Sequence, residues 1–88
     1  MKSIAGYTKG KELSLAETRQ LTPNEYVWIT WKSTATRGVL ADGAFLVVSV
    51  DLPADEFTIK DAHDVEEFWP MDGQMDDSKV MYYKAVKK

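Results

Sequence analysis

Eighty-eight residues with 44% hydrophobic and 28% charged side chains fit one domain spanning 1–88, and ten aromatic residues exclude a disordered chain. The lack of cysteine excludes disulfides and thiolate metal sites, and no run approaches the roughly 20 apolar residues of a membrane-spanning helix. The net charge of −3 hides a segregation: residues 51–77 hold ten acids and one base, the remainder ten bases and four acids.

In chain order, "MKSIAGYTKG" has no apolar core for a secretory leader, so a cytoplasmic protein is expected. "ELSLAETRQL" is open between strand and helix: Leu13 and Leu15 alternate, while Leu, Ala, Glu, Arg and Gln are good helix formers. The conformation of residues 11–32 is thus ambiguous. Thr22, Pro23 and Glu25 have capping-box spacing, yet "YVWITW" has the β-branched and aromatic composition of a strand. The second signal is favoured, giving a strand over Tyr26–Lys32 after a turn at "TPNE". Asp42-Gly43 between two apolar runs predicts a tight hairpin turn. "AFLVVSV" then reads as a central strand covered on both faces and ended by Pro53.

Thr58 with Asp61 three residues later, and Pro70 beyond, predict a helix over about 59–69 with Ile59, Ala62, Val65 and Trp69 on its buried stripe. "MDGQMDD" reads as a loop and "KVMYYKAV" as a last strand. The expected fold class is α+β: a small antiparallel sheet of three to five strands with this one helix packed on it.

The stretch "HDVEEFWPMDGQMDD" poses the functional question. His63 and Glu67 at helical spacing could share a metal, but one histidine and no cysteine do not make a zinc set, and "MDGQMDD" lacks the register of a calcium loop. No metal and no cofactor are expected. Catalysis by paired carboxylates needs one of them in a dry cleft, and no nucleophile elbow or phosphate-cradling glycine loop is present, so no enzyme is expected. What remains is docking. Asp61, Asp64 and Glu67 project together from the expected helix, Phe68 lies among them, and Asp76 and Asp77 extend the charge into the loop.

Tyr26 and Trp28 would share one face of their strand, as a second contact patch. These residues point to a small acidic protein-binding module whose partner is a protein with a basic surface. Free-standing domains of this size are often accessory or inhibitor proteins of phages or mobile elements. The alternative is a homodimer formed through the aromatic sheet surface. Direct nucleic-acid binding is disfavoured by the low pI and scattered bases, and a DNA mimic would carry a larger negative charge.

Overall fold

Alternation, not helical periodicity, organises the chain. The computed structural model describes residues 1–33, 38–75 and 77–88. Its elements are β1 (Tyr7–Glu12), α1 (Leu15–Thr18), β2 (Tyr26–Ser33), β3 (Val39–Asp51), β4 (Glu56–Lys60), β5 (Glu66–Pro70), β6 (Gln74–Met75) and β7 (Ser78–Lys87). The strands form one antiparallel sheet in the order β1-β7-β2-β3-β4-β5, with β6 paired to β7. The expected α+β class is therefore wrong: 59% of the described residues are in strands and 5% in helix.

The helix expected over 59–69 is a β-hairpin. Phe57, Thr58, Ile59, Val65, Phe68 and Trp69 are β-branched or aromatic, and such side chains fit a pleated surface better than a helix. Phe57 and Ile59 alternate into the core on β4, and Trp69 enters it from β5. Val65 of the expected buried stripe is 48% exposed. The Thr58/Asp61 spacing resembled a helix cap because Asp61 does accept backbone N–H groups, but those of the turn that joins β4 to β5.

The turn expected at Asp42-Gly43 is also absent. Both residues lie inside β3, paired with Thr30 and Ile29. Asp42 is held by side chains across the strand pair: Trp28 Nε1 donates to its Oδ1 at 2.7 Å and Thr30 Oγ1 at 3.0 Å. The true β2–β3 connection lies further back, where Ser33 N donates to Gly38 O at 2.9 Å. Other expectations hold. Tyr26–Lys32 is strand within β2, "KVMYYKAV" lies within β7, and β3 ends before Pro53. "ELSLAETRQL" resolves into one helical turn, where the Ser14 hydroxyl and the Glu17 carboxylate each accept the other's backbone N–H.

Strand β3 pairs with β2 over its first half and with β4 over its second, and the register shifts between Val47 and Ser49. Such a bulge bends a strand and strengthens its twist. The β4–β5 hairpin is thereby carried over the inner face of β2 and β7. Val27, Ile29, Phe45, Val47, Phe57, Ile59, Trp69, Met71, Val80 and Tyr82 fill the space between. Two edge-to-face ring pairs join its walls, Trp31 with Trp69 at 5.1 Å and Phe57 with Tyr82 at 5.2 Å. The Tyr82 hydroxyl also donates to Pro70 O at 2.5 Å; burial, with the Asp72 carboxylate adding to it, pushes its pKa upward and keeps it a donor.

The chain ahead of β1 closes the other side. Lys2 N donates to Asp61 Oδ2 at 3.2 Å, Ala62 N to Lys2 O at 2.9 Å, and Ile4 N to Ala44 O at 2.8 Å. This stretch therefore lies beside β3, beyond the end of β4, before β1 runs along β7. Gly43 is where it crosses: a Cβ added there would stand 2.2 Å from Ser3 Cβ. Glycine inside a strand often marks such a close approach.

Two stability predictions follow from this packing. Trp69→Ala should cost about 3–5 kcal/mol as a large core truncation. Trp69→Phe should cost far less, since the indole N–H of Trp69 has no acceptor among the described residues and its loss removes an unsatisfied buried donor. Chemical denaturation of both variants tests this, and equal losses would show that the N–H is paired. Gly43→Ala should cost about 1–3 kcal/mol by overpacking, and adding Ser3→Gly should restore most of it. No recovery in the double variant would show that Ser3 is not the obstacle.

Candidate functional site

The tip of the β4–β5 hairpin is built around Asp61. This carboxylate is only 4% exposed. Its Oδ1 accepts from His63 N at 2.8 Å and Val65 N at 3.0 Å, and its Oδ2 from Lys2 N. Burial alone would raise its pKa. The N–H groups of Val65, Lys2 and His63, together with the charge of the His63 ring, outweigh burial and hold it below the ordinary carboxylate value. Asp61 is therefore a turn-forming residue and not part of an exposed contact surface, as the sequence suggested. It also ties the hairpin to the chain start.

The remaining expected contact residues divide. Asp64 stands exposed at the tip with φ at 62°, a conformation aspartate tolerates better than most residues, and its carboxylate lies 3.9 Å from the Lys60 ammonium. Phe68 is 73% exposed, the most exposed of the large apolar side chains among the described residues. Glu67 and Phe68 are successive residues of β5 and so project to opposite faces, with Glu66 on the Phe68 side. The cluster imagined on one helix face is thus a strand edge, with carboxylates on both sides of the exposed ring. Asp77 lies exposed in the turn between β6 and β7. Asp76 falls outside the described residues.

Tyr26 and Trp28 do share a face of β2, as alternation required, but that face is partly covered within the chain. Tyr7 of β1 stacks on Tyr26 at 4.6 Å, and the Trp28 indole is engaged by Asp42. Lys9 sits 4.5 Å over the ring of Tyr83, which pairs with Trp28. Tyr26 keeps 36% of its surface exposed. It borders an open groove of about 600 Å³ whose lining includes Tyr7, Leu13, Leu21, Lys84 and Lys87. Sequence reading missed this groove. Only the pairing of β1 with β7 brings Tyr7 and Lys87 together.

The carboxylates do not converge: among the described residues no three His, Asp or Glu side chains are placed to hold a metal ion. His63 is exposed and bonds to Asp61 through its backbone N–H. No helix among the described residues is long and apolar enough to cross a membrane.

The lowered pKa of Asp61 sets the sign of an acid effect. Its contribution to stability is present above the unfolded-state value of about 3.9 and is lost as the pH falls through the lower folded-state value. Asp61→Ala should lower the urea midpoint at pH 7, and the gap to the wild-type chain should narrow at about pH 2. A gap that widens in acid would reverse the assignment. No protein-family model matches the chain, nor does any curated protein or solved structure.

Proposed function

We propose that the chain is a small cytoplasmic protein-binding module that works by occupying a partner protein's surface, in the manner of an accessory or inhibitor protein. The observation that carries this reading is Phe68. A ring left 73% in water at the edge of a sheet contributes nothing to the core, and it stands where an interface anchor would be buried. Glu66 shares its face of β5, Glu67 follows on the opposite face, and Asp64 stands at the hairpin tip beside Lys60. A partner with a basic surface would be steered to this strand by Asp64, Glu66 and Glu67. Tyr26 and Trp28 serve less well as anchors, because Tyr7 and Asp42 already occupy them.

Affinity capture from the source organism's lysate tests this, with three baits: wild type, Phe68→Ala, and Asp64→Lys combined with Glu67→Lys. Wild type should retain a stoichiometric partner in low salt and release it as salt rises. Phe68→Ala should lose that partner while its stability stays within about 0.5 kcal/mol of wild type, as for an exposed side chain. Equal capture by all three baits would sink the reading. Recovery of the chain alone would point instead to self-association through the aromatic sheet face.

A further inference from the structure

The hydrogen-bonding direction along β5 can be read from its turn. Asp61 N donates to Val65 O at 3.0 Å, so Asp61 and Val65 are a hydrogen-bonded pair. Bonded and non-bonded pairs alternate along an antiparallel hairpin. Ile59–Glu67 and Phe57–Trp69 are then bonded, while Lys60–Glu66, Thr58–Phe68 and Glu56–Pro70 are not. The backbone groups of Glu66, Phe68 and Pro70 therefore point away from β4. Pro70 fits this assignment, since it has no N–H to lose there, and its outward carbonyl is taken by the Tyr82 hydroxyl. No strand among the described residues lies on that side of β5. The N–H and C=O of Glu66 and of Phe68 form an open two-residue ladder, next to the exposed Phe68 ring.

Resting on the docking reading above, we propose that β5 receives an extended segment of the partner as an added antiparallel strand, with consecutive Lys or Arg residues opposite Glu67 and Glu66 and an apolar residue beside Phe68. Charge complementarity decides the occupant. A second copy pairing β5 with β5 about a two-fold axis sets Glu66 against Glu66 in one register and Glu67 against Glu67 in the next. Like charges directly opposite each other are unfavourable. The register that pairs Phe68 with Phe68 avoids this but sets Glu66 against Pro70, which has no donor. A basic segment has neither fault. It forms the four backbone bonds that the ladder offers and places a base against each carboxylate. Read along the incoming strand, the recognised pattern is apolar–basic–basic.

A displayed library of random decapeptides, selected against the immobilised chain, supplies the probe. Each enriched peptide is then measured against four forms: wild type, Glu66→Gln, Glu66→Pro and Phe68→Ala. Glu66→Gln removes the charge and keeps the outward donor. Glu66→Pro removes both, at a position whose N–H the fold does not use. The expected result is a basic–apolar consensus whose affinity for Glu66→Pro is about tenfold or more below that for Glu66→Gln, the size of effect expected when a backbone bond is lost and its acceptor stranded.

Amide exchange on the wild-type chain gives a measurement independent of the folding of Glu66→Pro. Bound peptide should newly protect the Glu66 and Phe68 amides, those of Glu67 and Trp69 being internally bonded already. Peptides that bind Glu66→Pro and Glu66→Gln alike, yet are lost with Phe68→Ala, would overturn strand addition and leave surface docking standing. Peptides indifferent to all three substitutions, or no enrichment at all, would overturn both.

Discussion

Strand β3 is the constraint on which everything else depends. It gives its first half to β2 and its second half to β4, and the bulge between Val47 and Ser49 turns one half against the other. Without that bend the β4–β5 hairpin would extend a flat sheet, and Trp69 and Phe57 would not meet Trp31 and Tyr82. Ala44 sits near the changeover. It faces Trp28 on one side and accepts from Ile4 on the other, so the bend also leaves room for the chain start to enter. One bent strand thereby defines the core, the closure and the position of the acidic hairpin.

The two halves of the sheet differ in how they treat their surfaces. On the β1–β7–β2 side, aromatic rings are shielded by near neighbours: Tyr26 by Tyr7, Tyr83 by Lys9, Trp28 through its bond to Asp42. On the β5 side, Phe68 is left uncovered and flanked by carboxylates. Charged residues and a proline on an edge strand discourage pairing between identical copies. The same residues leave the edge open to a strand of opposite charge. Protection from self and availability to a partner are here two results of one composition.

The strands with strong β composition were legible from the sequence. "YVWITW" and "KVMYYKAV" alternate, and burial follows the alternation, with Val27, Ile29, Val80 and Tyr82 inward. The helix over 59–69 failed because a helical stripe and a hairpin can place the same residues inward. Ile59 and Trp69 satisfy both, and only the turn at Asp61 separates the two. The Asp42-Gly43 signal failed for a tertiary reason. Glycine there answers to Ser3, forty residues distant, and no local pattern carries that information. At the site, the exposure of Phe68 was legible, while its grouping with Asp61 and Glu67 was not. A helix would have put them together; the strand sends Glu67 to the opposite face and the turn buries Asp61.

The position of β7 bears on how the chain is made. The last strand in sequence is an interior strand of the sheet, lying between β1 and β2, and the backbone of Lys88 bonds back to Gly6 at 2.9 Å. During synthesis β1 therefore waits for a neighbour made after every other strand of this sheet, and β2 holds an unfilled edge for the same interval. Contacts between residues so far apart in sequence are slow to form, and strand edges unpaired meanwhile are open to the wrong partner. A nascent chain halted before residue 78 would hold the core side chains of β2 to β5 but lack Val80 and Tyr82, and it would leave β1 without its partner and the β7 side of β2 open. For this topology, the sheet closes only once residues 78–87 have been made.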